Sequence, residues 1–200
     1  MSKGNETKER IIQQAAELFN RQGYAGSSIS DIMQITGLQK GGIYNHFKSK
    51  DDLALQAFDY AIAQIIQAKL AALRGKRNAI ERLQALNGVF RMHMDNPQNP
   101  IVKGGCPLLN TAVESDDAHP ALRERTQRAM TSWRNMICKI IEKGVARAEI
   151  RRDVNADEVA TIIISTLEGG VMMSKLYGDT IHLERVINYL NDYVERHLKV

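Results

Sequence analysis

The sequence predicts an all-α fold of about nine helices. Three observations predict it. Apolar residues recur at helical spacing over most of the 200 residues. No stretch alternates apolar and polar residues as a half-buried strand does, and no internal repeat or low-complexity tract interrupts the pattern. Helix-start and helix-stop residues punctuate the chain, among them Ser28, Ser49 and Asn155 as caps and Gly23, Gly37 and Gly178 as stops.

Taken in order, residues 6–22 place Ile11, Ile12, Ala15, Ala16, Leu18 and Phe19 on helical spacing, and Gly23 ends the helix. Ser28 with Asp31 three residues on is a capping box in its acidic variant. The short helix behind it presents Ile29, Ile32, Met33 and Ile35. Thr36-Gly37 is a tight turn, with glycine suited to a left-handed backbone. Residues 38–47 form a third helix. Ser49 and Asp52 cap a fourth that runs to about residue 73, and residues 79–95 form the next. Residues 96–105 are loop by their proline and glycine content. Pro107 suits the first turn of a short helix through residue 114. His119-Pro120 opens a long helix to about residue 148, Asn155 caps another to residue 177, and residues 180–198 form the last. A functional boundary is expected near residue 50, giving segments 1–50 and 51–200.

Composition narrows the function classes. With 44% hydrophobic and 25% charged residues the chain can bury an ordinary globular core without staples. Its two cysteines, Cys106 and Cys138, suggest no disulfide framework. The polar start MSKGNETKER lacks the apolar stretch of a signal peptide, and no run approaches the roughly 18 apolar residues of a membrane span. A cytoplasmic protein is expected. The net charge is +4 and the pI about 9.1. Residues 1–50 hold seven Lys and Arg against four Asp and Glu, so most of the excess lies there and points to a polyanion.

The third helix carries the chemistry. GLQKGGIYNHFKSK, residues 37–50, contains Gly41 and Gly42, each costing roughly 1 kcal/mol in a helix interior. Helix, tight glycine turn and short helix together form a helix-turn-helix, whose second helix enters the DNA major groove. A helix pressed into the groove gains from little bulk, which Gly41 and Gly42 provide. Gln39 and Lys40 at its start can reach base edges, since Gln pairs with adenine and Lys with guanine. Tyr44, Asn45, His46, Lys48 and Lys50 would hold phosphates, which set register, and Ser28 at a helix start suits another. Phe47 is expected in the core. The glycines form neither GxxxxGK[ST] nor GxGxxG, and no strand precedes them, which removes a nucleotide site.

These residues carry a resemblance. AAELFNRQGYAGSSISDIMQITGLQKGGIYNHFKSKDDL resembles the N-terminal pattern TAxELFxxxGYxxxSIxDIxxxxGxxKGxxYxHFxSKxxL of the TetR family of bacterial transcription regulators, over residues 8–58. The resemblance implies a three-helix DNA-binding domain and a helical domain that dimerises and holds a small-molecule inducer. Gly42 departs from it, because many relatives carry a base-touching side chain there, and readout then leans on Gln39 and Lys40. Repression of a palindromic operator by a homodimer is the family-level expectation.

Beyond residue 50 the signals are weaker. GGCPLLNTAVES, residues 104–115, resembles the start of the regulatory core in one subgroup of the family. Cys106 precedes a helix start and follows Lys103, an environment that favours thiolate, and Lys175 is a candidate partner. The simpler reading is a small buried residue in a helix cap. Met92, Trp133 and Met173 are candidates for a ligand cavity, although methionine at helical spacing is more often core. His93 and His119 lack partners at ligand spacing, so no metal is expected, nor any other cofactor. The last two helices carry more apolar positions than one buried stripe needs, which implies a second copy, with Gly169-Gly170 allowing close approach. Two other classes compete. A thiol enzyme built on Cys106 with His93 or His119 would need a base held by a third group, and none is readable. A ligand carrier with a vestigial DNA-binding part conflicts with intact Gln39, Lys40, Tyr44, His46 and Lys50.

Overall fold

Nine α-helices and one π-helical turn are present among the described residues. The structure, a computed structural model, describes residues 3–94, 104–115 and 118–200, with the side chains of residues 3 and 92–94 outside that description. The helices are α1 (Lys3–Gln22), α2 (Ile29–Thr36), α3 (Lys40–Tyr44), α4 (Lys50–Leu73), α5 (Ala79–Met94), α6 (Pro107–Ser115), α7 (Pro120–Ala146), α8 (Ala156–Tyr177) and α9 (Ile181–Tyr193). The all-α expectation therefore holds. The chain divides into two compact units, one of residues 1–65 and 100–127, the other of residues 66–99 and 128–200.

In the first unit, Ile11, Ala15 and Leu18 of α1 meet Ile32 of α2, Ile43 of α3, Phe47, and Leu53 and Ala57 of α4 in one buried cluster. Each comes from the helical face that its spacing predicts. The capping box at the start of α2 is complete: the Asp31 N–H donates to Ser28 Oγ at 3.1 Å and the Ser28 N–H donates to Asp31 Oδ2 at 2.7 Å. The Ser28 hydroxyl, which donates to Asp31 Oδ2 at 2.7 Å, and then the Ser28 N–H hold the Asp31 carboxyl below its ordinary range. Gly37, at φ 69°, is left-handed and its N–H closes on the Met33 carbonyl at 2.9 Å. Ser49 caps α4 as expected, accepting from the Asp52 N–H at 3.1 Å.

One boundary differs. The third helix spans only Lys40–Tyr44, not 38–47. Gln39 is extended, at φ −72° and ψ 159°, so it is the cap and not an internal residue. Beyond Tyr44 the Ile43 carbonyl accepts both the His46 N–H at 3.0 Å and the Phe47 N–H at 3.2 Å, a bifurcated last turn.

In the second unit α8 packs on α9, and α9 on α5. Ile163, Leu167, Leu183, Ile187 and Leu190 are buried. Asn155 caps α8 by accepting from the Asp157 and Glu158 N–H groups, and left-handed Gly178 ends it. The last helix also differs from expectation: it stops at Tyr193, and Val194–Leu198 is a π-helical turn with both end residues buried. The Arg151 N–H then donates to the Leu198 carbonyl, tying the terminal turn to the residues between α7 and α8.

Two expectations require correction. Gly170 does not offer its backbone to a second copy: a Cβ there would stand 3.1 Å from Val186 and 3.2 Å from Leu183, so this glycine admits α9 of the same chain. Gly169 is the open one, with nothing within 4 Å. The absence of a membrane-length apolar run also needs qualifying, because α8 is long and apolar enough by length and composition, with 44% of its most apolar window buried inside the protein. Packing of α8 on α9 accounts for the buried part of that composition.

Candidate nucleic-acid interface

The short third helix is amphipathic in a particular way. Ile43 is 1% exposed, and Phe47 beyond the helix end is equally inside. Gln39, Lys40, Gly41, Tyr44, Asn45 and Lys48 are exposed. Two buried apolar anchors thus fix the helix and turn its polar side outward. A Cβ on Gly41 would meet nothing within 4 Å, so its missing side chain leaves the outer face low. Gly42 is half-buried, and a Cβ there would touch Leu38 Cβ at 3.6 Å, which is ordinary contact. Of the two glycines, Gly41 is the one that opens the face.

The cations around this helix differ in what holds them. The Lys40 ammonium lies 5.9 Å from the Tyr44 ring centroid, which keeps it on the outer face beside the Gln39 cap. His46 is half-buried and packs at a tilt on Phe47. Lys50 is engaged elsewhere: its Nζ donates to the Tyr24 carbonyl at 2.5 Å and lies 4.1 Å from the Tyr24 ring centroid. Ser28 is exposed, with its hydroxyl committed to Asp31.

Sequence spacing did not reveal the arrangement around Tyr24. The Glu114 carboxylate of α6 accepts from the Tyr24 N–H at 2.8 Å and the Ala25 N–H at 2.7 Å, in the turn between α1 and α2. The Tyr24 hydroxyl donates to Asp51, and its ring meets the His119 ring edge-on at 5.0 Å. Burial, then the bond to Asp51, and then the Asp51 and Glu114 charges push the Tyr24 pKa up to about 12. Asn110 of α6 bonds to the Asn20 carbonyl, the Asn20 side chain and the Gly104 carbonyl, within 3.0 Å in each case. These contacts tie α6 to α1 and the turn leading into α2. Nothing in the local sequence announces the bonds of Glu114 and Asn110 to residues 20–25, because those partners lie about ninety residues apart.

The ligand and sensing candidates are scattered. Cys106 is 8% exposed and its carbonyl accepts the Asn110 N–H at 3.0 Å, the position of a helix cap. Cys106 belongs to the first unit and Lys175 to the second, and Lys103 lies outside the described residues. Trp133 is buried, stacked on Phe90 at 5.7 Å, with the buried Lys69 ammonium 3.3 Å from its ring centroid. Met173 and Lys175 are exposed on α8, beside Met172, Leu176 and Tyr177. The Met92 side chain lies outside the described residues, as does that of His93. Among the described residues no group of three His, Cys, Asp or Glu side chains could hold a metal ion.

Comparison with known proteins agrees with this geometry. Residues 11–57 match the family described as bacterial regulatory proteins of the tetR family. Residues 79–190 match the tetracyclin repressor-like C-terminal domain. A TetR transcriptional regulator from Chloroflexus aurantiacus is 46% identical over the whole of both chains, with a TM-score of 0.94. A TetR-family regulator from Cytophaga hutchinsonii is 32% identical over 100% of this chain and 98% of its own, with a TM-score of 0.90. The HTH-type transcriptional repressor DhaR of a Mycobacterium species is 23% identical, covering 84% of this chain and 82% of its own. These relatives are DNA-binding regulators and not enzymes. The two matches together span both halves of the chain, and the protein belongs to the TetR family of bacterial transcriptional regulators.

Proposed function

We propose that the protein is a ligand-responsive repressor that binds a palindromic operator as a homodimer in the cytoplasm and is released by a small-molecule inducer. The observation that carries this reading is the exposed polar face of α3, set by the buried Ile43 and Phe47 and left low at Gly41. Gln39 and Lys40 read base edges, while Tyr44, Asn45, His46 and Lys48 hold phosphates. Ser28, whose N–H and hydroxyl both donate to Asp31, serves as the α2 cap and not as a phosphate donor, and Gly42 turns toward Leu38. Lys50 acts at one remove, by fixing the turn at Tyr24 through its bond to that carbonyl. DNA binding belongs to residues 1–50, and ligand binding and dimerisation to residues 51–200.

The homodimer forms through α8 and α9. Leu176 is 75% exposed, Tyr177 66% and Tyr189 64%, with Met172 and Met173 alongside, and Gly169 leaves the backbone open on α8. A two-fold dimer presents two copies of α3 to a two-fold operator. The Mycobacterium relative's name supports repression. The inducer site is the interior around Trp133, with Met92 a further candidate from the sequence.

The test is selection of genomic fragments by the purified protein. Recovered fragments should share one inverted repeat, and binding to it should weaken steeply with salt. Recovery of fragments with no common sequence, or a monomer by sedimentation at micromolar concentration, would exclude the reading.

A further inference from the structure

A cleft of about 230 Å³ opens within the first unit, away from the exposed face of α3. Its floor is apolar, formed by Phe19 and Ala16 of α1 and by Ala57, Phe58 and Ala61 of α4. Ala54, Ala57, Phe58 and Ala61 fall at i, i+3, i+4 and i+7, so α4 turns one face bearing three alanines to the space. The alanines are what leave it open. Its polar edge is formed by Tyr24, Glu114 and His119. An apolar protein cavity of about 150 Å³ takes a benzene molecule, so this cleft accommodates a ring with a short substituent.

Charge selects the substituent. Glu114 lies at the edge, and Asp51 stands behind Tyr24, accepting its hydroxyl. His119 Nδ1 accepts the Leu122 N–H at 3.2 Å, and its Nε2 stands 3.8 Å from Asp51 Oδ1. The cation in contact with the cluster is Lys50, and its ammonium is already bonded to the Tyr24 carbonyl. Two carboxylates against one ammonium leave the edge net negative. The Glu114 oxygens each accept one backbone N–H and retain acceptor capacity for a donor arriving from the cleft.

We propose that this cleft is a ligand site for a compact apolar molecule, one ring in size, that carries a cationic or neutral hydrogen-bond donor directed at Glu114. It is distinct from the inducer site assigned to the interior around Trp133, which belongs to the second unit. Its occupant touches Tyr24 and Ala25, the residues that lead into the Ser28 cap of the DNA-binding helix pair.

The experiment uses the full chain without DNA, so its outcome does not depend on the repressor reading. Three probes of similar size are titrated: 2-phenylethylamine, 2-phenylethanol and phenylacetate. Binding is followed through the backbone amide signals of Tyr24, Ala25 and Thr111. The amine and the alcohol should shift these signals saturably. Phenylacetate should bind at least about tenfold more weakly than the amine, as expected for one net charge at the edge of a partly solvated site. Ala61→Leu fills the cleft from a half-buried position and should weaken the amine at least about tenfold with circular dichroism unchanged. Ala16→Leu, half-buried on α1, serves where Ala61→Leu fails to fold. Equal binding of phenylacetate, shifts confined to other residues, no saturable shift, or wild-type affinity in the filled variants would each overturn the proposal.

Discussion

Removing the Glu114 carboxylate tests how firmly α6 is held to the turn between α1 and α2. Its two oxygens accept the Tyr24 and Ala25 N–H groups at 2.8 and 2.7 Å, both charge-assisted geometries. A hydrogen bond to a charged group contributes about 1.5–3 kcal/mol when shielded. Ala25 is exposed and Glu114 only half-buried, so solvent screening reduces the pair to about 2 kcal/mol in total. Glu114→Ala should therefore accelerate amide exchange at Tyr24 and Ala25 by about 30-fold. Glu114→Gln retains one acceptor oxygen and should lose about half of that free energy. The Gly37 amide is bonded to the Met33 carbonyl and has no link to Glu114, so it serves as the internal reference. Native-state hydrogen exchange followed by NMR reads all three amides at once. Unchanged exchange at Tyr24 and Ala25 in Glu114→Ala would refute the reasoning, as would equal acceleration at Gly37.

Further outcomes follow from the same geometry. Ser28→Ala removes both side-chain bonds of the α2 cap and should cost about 1 kcal/mol in urea unfolding. Gly170→Leu should destabilise the chain through a clash with Leu183 and Val186, whereas Gly169→Leu should leave folding intact and weaken self-association; sedimentation and circular dichroism separate the two. The Asp31 and Asp52 carboxyls are held below the ordinary 3.8, chiefly by the Ser28 hydroxyl and the Lys48 N–H respectively. A lowered folded-state pKa contributes stability above the unfolded value that is lost as pH falls through the folded one. Asp31→Asn and Asp52→Asn should accordingly flatten the decline of the urea midpoint below about pH 4.

Much of the DNA-binding half was legible because its signals are local. The Ser28–Asp31 box and the left-handed Gly37 are written within four residues of each other, and the structure forms both bonds. Ile43 and Phe47 are spaced to share one buried side, which leaves Lys40 and Tyr44 outside; Gln39 is exposed because it is the extended cap. The length of α3 was not legible, because an extended Gln39 carries no side-chain cap bond and no compositional mark. Long-range partners were hidden for a different reason. Nothing near Glu114 says that it will meet Tyr24, and nothing near Lys50 says that its ammonium will turn back onto that residue. Gly169 and Gly170 show the same limit: adjacent glycines face different ways around a helix, and only packing reveals that Gly170 admits α9. The buried Lys69 over Trp133 was equally silent, since a lysine in a helix reads as solvated.

The central claim is that the outer face of α3 reads DNA in a symmetric pair. Selection from a random duplex library, run with the wild type and with Gln39→Ala, tests it most directly. The wild type should enrich a two-fold symmetric sequence with half-sites about one helical turn, roughly 10 base pairs, apart. Gln39→Ala should keep that spacing and lose preference at one position in each half-site, at a cost of about 1–3 kcal/mol per contact. Enrichment of an asymmetric sequence, or identical preferences in the two proteins, would contradict the account.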